Sequence, residues 1–163
     1  MKNIKILNDV DKAIQVMHGV GMWMEEKGLN PGEWWKPENM NRKFLLQHTE
    51  PDEYFVALID EKPAASMILQ ETERNQSWKS VDGNKKSALY VHWLCVNREF
   101  ASQGLSDELI KFAKKESKKR GFSRLRLDTD GEKEKLCSIY KNMGFTLMGT
   151  DREGTHLTAF YQM

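Results

Sequence analysis

The stretch from Tyr90 to Ser106 has the makings of an anion site. It reads as an apolar strand, a short turn holding Gly104, and the opening of a helix. Amides in the first turn of a helix lack intrahelical partners and carry the positive end of its dipole. A glycine beside them lets a phosphate come close to the backbone. The turn, ASQGLSDEL, has a single glycine, so it fits neither the GxGxxG dinucleotide pattern nor the GxxxxGK[ST] phosphate loop. Taken alone, a glycine before a helix is more commonly a packing or turn residue. Metal chemistry is not expected. Cys95 and Cys137 form no CxxC pair, and His18, His48, His92 and His156 show no HxxxH or HExxH spacing. Both thiols are expected to be buried and reduced.

Periodicity supplies the elements that must carry this segment. Residues 4–7 read as a strand, followed by a helix with Val10, Ile14, Met17 and Met24 at helical spacing, an Asn8–Asp11 capping pair and a stop at Gly28. Residues 29–39 read as a loop, and a second helix is predicted from near Pro37 through Leu45. Two strands follow, joined by a turn near Glu61-Lys62-Pro63, and then a polar hairpin loop containing Asp82-Gly83. SALYVHWLCV predicts a central strand buried on both faces. A helix with Leu105, Leu109, Phe112 and Ala113 on one stripe, a strand SRLRLDT, a short helix ending at Gly144 and a closing hairpin complete the chain. The order is β-α-α-β-β-β-α-β-α-β-β. It implies an α/β fold, a mixed, mostly antiparallel sheet of six to seven strands flanked by about four helices. With no linker or repeat, residues 1–163 are expected to form a single domain.

In this order and spacing the sequence resembles the GNAT family of acyl-CoA-dependent N-acetyltransferases. The family's pattern is a strand ending in Val, then [QR]xxGx[GA] opening a long helix. Here that is Val96 followed by Ala101-Ser102-Gln103-Gly104-Leu105-Ser106. The family's later Tyr-x-x-x-Gly-Phe is Tyr140 to Phe145. The well-matched region covers about residues 88–148. Three positions depart from the pattern. Ala101 replaces Arg or Gln, Ser106 replaces Gly or Ala, and Lys133 stands at a frequent Asn. A cradle built mostly of backbone amides is expected to survive Ala101 with weaker or altered CoA affinity.

The resemblance implies a mechanism. The strand through Trp93, Leu94, Cys95 and Val96 would splay from SRLRLDT, and the pantetheine arm would bond to its backbone as an added strand does. An amide near Leu94 would polarise the thioester carbonyl. The amides from Gln103 to Ser106 would hold the diphosphate, with Ala101, Ser102 and Lys133 beside the cofactor. Acyl transfer removes a proton from the amine and supplies one to the leaving thiolate. Tyr140 matches the family's acid, and a phenol of pKa ~10 is protonated at neutral pH. Its other reading is a packed helix residue. For the base, His92 has the right intrinsic range. Strand alternation also allows it to be a satisfied core histidine, and a water chain to a carboxylate is the remaining option.

The acceptor pocket is expected on the first two helices and the loop between them. Seven of the fourteen Met and Trp residues lie between Met17 and Met40. Met17 and Met24 fit the core. Trp23, Trp34 and Trp35 are the candidate substrate contacts, an aromatic wall suited to an ammonium group. A homodimer contact is the competing explanation for Trp34 and Trp35. The expected activity is transfer of acetyl from acetyl-CoA to a primary amine of a small molecule or peptide. The alternatives are a non-catalytic CoA-sensing module and an enzyme using a different acyl-CoA donor.

Composition narrows the partners. The chain has 163 residues, 39% apolar and 30% charged, with a net charge of +1. No apolar run approaches the ~20 residues of a membrane span, and the charged start does not resemble a signal peptide, so a cytoplasmic protein is expected. Between Lys111 and Arg126 stand eight Lys and Arg against one Glu, a local +7, which leaves the other 147 residues at −6. A basic helix there would favour a polyanion such as CoA. A nucleic-acid role is the weaker reading of the same run, against a solvated helix face.

Overall fold

The computed structural model describes residues 2–29, 33–83 and 86–163. β1 (Ile4–Asn8) runs into α1 (Val10–Glu26). Asp9, not the expected Asn8–Asp11 pair, caps α1. Its carboxylate accepts the Lys12 amide at 3.0 Å and Lys12 Nζ at 2.8 Å. Asn8 instead donates through Nδ2 to the Tyr54 carbonyl at 2.7 Å. Residues 30–32 of the expected loop lie outside the described residues. Beyond them come two 3-10 turns, Glu33–Trp35 and Pro37–Asn39, and then a four-residue α2 (Arg42–Leu45). The longer second helix does not form because Asn41 starts a new one, its side chain accepting the Phe44 amide at 3.0 Å.

β2 (Tyr54–Ile59) and β3 (Lys62–Gln70) pair antiparallel. Asp60 and Glu61, at φ 47° and 65°, make the turn, one step earlier than predicted, and Pro63 falls inside β3. The polar segment after β3 is not a plain hairpin loop. It carries a short α3 (Lys79–Asp82) and a fully buried Trp78, with residues 84–85 outside the described set. Then follow β4 (Leu89–Val96), α4 (Leu105–Lys119), β5 (Leu125–Asp130), α5 (Glu134–Asn142), β6 (Thr146–Glu153) and β7 (His156–Gln162). The strands form one seven-stranded sheet in the order β1-β2-β3-β4-β5-β7-β6. β4 and β5 pair parallel, while β1–β2, β2–β3, β5–β7 and β6–β7 are antiparallel. This is the mixed, mostly antiparallel sheet that the element order implies.

The chain gathers into two compact units that share β4 and α4. One runs to Leu69 and takes in Trp93–Phe112; the other holds Gln70–His92 and Ala113–Met163. In the first, the apolar stripe of α1 (Val10, Ala13, Ile14, Met17, Val20) packs with Tyr54, Val56 and Leu58 of β2. Phe55 points the other way and meets Phe112 of α4 at 5.2 Å. Period-3.6 and period-2 patterns thus share one core. In the second, Trp78, Ala88, Tyr90 and Phe160 form a smaller cluster. β4 is buried at Leu89, Tyr90, Val91 and Cys95, while His92, Trp93, Leu94 and Val96 are half-buried, contrary to the expectation of burial on both faces. Among the described residues, no helix is long and apolar enough to cross a membrane.

Candidate active site

In the first unit the loop into α4 has the geometry of an anion cradle. A 3-10 turn (Arg98–Phe100) ends at Ala101, whose amide donates to Arg98 O at 3.2 Å. Ser102 and Gly104 then both adopt left-handed conformations, at φ 61° and 76°. Such residues curl successive amides toward one side. Gly104 O accepts the first helical bond, from Glu108 N at 3.1 Å, so the amides of Leu105, Ser106 and Asp107 precede the helical ladder. A Cβ placed on Gly104 would meet no atom within 4 Å, so its backbone faces open space. Gln103 accepts a bond from Lys2 Nζ through its side chain, leaving its backbone as what it offers an anion. The first turn also carries Asp107 and Glu108, and Lys111 pairs with Glu108 at 2.9 Å.

The strand leading to the cradle is kinked. Trp93 lies at φ 55°, a conformation that a bulky residue adopts only under constraint, at a cost of about 1–3 kcal/mol. Its ring packs on Trp35 at 4.7 Å and edge-on to Trp34 at 6.3 Å. Trp34 also meets Phe44 at 5.8 Å and His48 at 5.6 Å, yet keeps 47% of its surface exposed. Gly21 of α1 lets this wall close, because a Cβ there would lie 2.7 Å from the Trp35 carbonyl oxygen. Trp23 stands apart, its ring covered by the Arg98 guanidinium at 4.3 Å. Of the Met residues expected in the same region, Met17 and Met40 are core and Met22 is exposed. Cys95 is buried beside Ser66 Oγ at 3.4 Å, and burial pushes its thiol up to about 12. Its side chain belongs to the core, so only its backbone is available to a ligand. The Trp93 kink carries no sequence signal.

In the second unit Tyr140 is buried on α5, against Phe145 and Tyr161, both at 6.1 Å. Lys133 is exposed at the start of α5, its amide donating to Asp130 O at 3.2 Å. The paired register of β4 with β5 runs over Leu89↔Leu125 and Tyr90↔Arg126. His92 stacks parallel to Tyr90 at 6.4 Å, on the same face of β4. Arg126, counted above in the basic run, is 1% exposed. Its guanidinium bonds Asp82, Gln162 Oε1 at 2.9 Å and the Tyr90 hydroxyl at 3.4 Å, and lies 4.1 Å over Trp78. The run is therefore not one solvated basic surface. Arg120 is also engaged, with Glu116 at 3.2 Å and Glu71 at 3.4 Å.

Fold and cradle together define an acetyltransferase class that the comparisons specify. The sequence model of the Acetyltransferase (GNAT) family matches residues 21–145, and the chain belongs to this family. That membership places it among the acyl-CoA-dependent N-acetyltransferases. The uncharacterized N-acetyltransferase YesJ of Bacillus subtilis (strain 168) is 28% identical over 157 residues, which is 93% of this chain and 84% of that one. A GNAT-family acetyltransferase from Listeria monocytogenes 4b F2365 superposes with a TM-score of 0.75 at 22% identity, covering 99% of this chain and 94% of that one. The PaiA N-acetyltransferase of Thermoplasma acidophilum, solved in complex with coenzyme A, gives 0.67 at 18% identity over 99% of each chain.

Proposed function

We propose that the protein transfers the acetyl group of acetyl-CoA to a primary amine of a small molecule or peptide by direct attack. The loop from Ser102 to Leu105 carries the reading, because its two left-handed residues open into amides outside the helical ladder. The diphosphate is held by the backbone of Gln103 to Ser106, with Ala101 and Ser102 at its edge and Lys133 supplying an exposed cation. The pantetheine arm runs along Leu94, Cys95 and Val96. The kink at Trp93 turns the next amide, that of Leu94, out of regular strand geometry, where it can donate to the thioester oxygen. The amine nitrogen attacks the carbonyl carbon, the C–N bond forms, and the C–S bond breaks. Tyr140 donates its proton to the departing sulfur, and His92, one residue before Trp93, is a first candidate for the amine's proton. Trp34 and Trp35 form the acceptor's aromatic wall.

The test is thiol release from acetyl-CoA across an amine panel, beside calorimetry of CoA binding. Turnover on a primary amine supports the reading. Tight CoA binding with no turnover on any amine overturns it in favour of a sensing module. Faster release from a longer acyl-CoA would change the donor. Tyr140→Phe should lower kcat by ~10²-fold or more with CoA affinity kept, and an unchanged rate removes the acid role.

A further inference from the structure

The cradle of the first unit is short of positive charge. From Arg98 to Lys111 the chain carries Arg98 and Lys111 against Glu99, Asp107 and Glu108, a net charge of −1. Arg98 lies over the Trp23 ring at 4.3 Å, and Lys111 is paired with Glu108 at 2.9 Å. Ala101 adds no charge where the family's pattern has Arg or Gln. The positive end of α4 is worth about half an elementary charge. A diphosphate is a dianion, so this backbone leaves most of it uncompensated.

A cation reaches the loop from the opposite end of the chain. Lys2 Nζ donates to Gln103 Oε1, across 101 positions of sequence. The Asp60 amide donates to the Asn3 carbonyl at 3.4 Å and Ile4 pairs with Ile59, which fixes the entry to β1 beside the β2–β3 turn. The Asn97 amide donates to the Ala64 carbonyl at 2.8 Å, which ties the exit of β4 to the start of β3. Lys2 and the loop into α4 therefore share one end of the sheet, where β1 and β3 begin and β2 and β4 finish. Lys2 is exposed, and its partner there is a neutral amide rather than a carboxylate, so its charge is not cancelled by that contact.

We propose that Lys2 is a cofactor-binding residue, whose ammonium leaves the Gln103 amide oxygen to pair with the diphosphate of CoA seated on the backbone of Gln103 to Ser106. The proposal rests on the reading of that loop as the diphosphate's seat and adds the missing counter-charge. Gln103 holds Nζ at the rim of the cradle, and the flexible four-carbon stem of Lys2 lets the ammonium follow the anion. The exchange is favourable because a charge-assisted bond to phosphate is about twice as strong as one to a neutral amide.

The second unit has the opposite character. On one face of its sheet Asp128 stands opposite Phe160, and Asp151 and Glu153 of β6 stand opposite Thr158 and His156 of β7. Tyr90 and Arg126 belong to the same face, and Arg126 is committed to Asp82. Burial raises the Asp128 carboxyl to about 6, with the Glu73 carboxylate adding to the rise and His156 opposing it. This acidic face does not suit a phosphate.

Calorimetry with CoA tests the assignment without turnover. Lys2→Gln should weaken CoA about fivefold at low salt, the upper end for an exposed ion pair, with Tm unchanged. Lys2→Arg keeps the charge and should stay within about twofold of the wild type. The gap between wild type and Lys2→Gln should narrow at 1 M salt, where the Debye length falls to about 3 Å. Dephospho-CoA, which lacks the 3′-phosphate and keeps the diphosphate, should show the same loss. A loss below about twofold in Lys2→Gln overturns the proposal. Equal losses in Lys2→Gln and Lys2→Arg also overturn it, since charge would not be the cause. A loss seen with CoA and absent with dephospho-CoA puts Lys2 on the 3′-phosphate and overturns the diphosphate assignment. Wild-type protein that binds CoA, with Lys2→Gln unchanged, sinks this proposal alone. Wild-type protein that binds no CoA sinks the acetyl-transfer reading with it.

Discussion

The cradle and the acidic face are built from different materials. The cradle is backbone. It consists of two left-handed residues and three amides ahead of the helical ladder, and the side chains there are small or, like Gln103, occupied elsewhere. The face around Asp128 is side chain throughout. It is assembled from β4, β5, β6 and β7, with Glu73 from the segment after β3, and Asp128 acquires its character from its neighbours there. A backbone site tolerates substitution wherever its dihedral angles survive. A side-chain site fails when one partner is removed, because a buried charge is left uncompensated.

The largest expected effect tests the second half of that contrast. Arg126→Ala removes a cation that is 1% exposed and bonded to Asp82, Gln162 and Tyr90. Breaking a buried pair costs about 3–5 kcal/mol, so a marked fall in Tm is expected in thermal denaturation. Asp82→Ala should cost a similar amount, and the double variant far less than the two together, since they act as one network. Additive losses would mean that the pair is not coupled.

Gly21→Ala comes next and tests the support of the cradle strand. A Cβ there would lie 2.7 Å from the Trp35 carbonyl oxygen, so the loop must give way. Overpacking of this kind costs about 1–3 kcal/mol. Trp35 would also shift from Trp93, the residue held at φ 55°. The expected signature is a lower kcat at unchanged KM for acetyl-CoA, together with a lower Tm. A variant with wild-type Tm would show that the loop relaxes without cost.

The same contrast explains what could be read from the sequence. Apolar periodicity placed the seven strands and α1, α4 and α5, most clearly where a continuous stripe is buried, as at Val10, Ala13, Ile14 and Met17. The turn before α4 was legible as a turn because Gly104 readily takes the positive φ it has there, whereas the matching φ of Ser102 had no sequence signal. The Trp93 kink was not, since tryptophan has no preference for positive φ and its ring partners, Trp34 and Trp35, lie far away along the chain. α3 was missed because its segment is polar except for Trp78 and Val81, which are fixed by tertiary packing with Ala88, Tyr90 and Phe160. The cap of α1 was misplaced by one residue because Asn8, Asp9 and Asp11 are all competent caps, and a tertiary bond to Tyr54 draws Asn8 away.

The smallest effects separate backbone from side chain within the cradle itself. Gly104→Ala puts a Cβ into open space, so packing adds nothing and the backbone term remains. At φ 76° that term is about 1–2 kcal/mol, and the methyl also occupies the approach to the amides. The strain lowers stability, whereas the obstruction acts on binding, and calorimetry should show CoA affinity at least ~10-fold weaker, a loss of about 1.4 kcal/mol. Gln103→Ala removes a larger side chain one position earlier. It loses an exposed bond to Lys2 and keeps its amide, so CoA affinity should stay within about twofold and stability within about 0.5 kcal/mol. If Gln103→Ala instead weakens CoA as much as Gly104→Ala does, the amide side chain touches the cofactor and the cradle is not a backbone site.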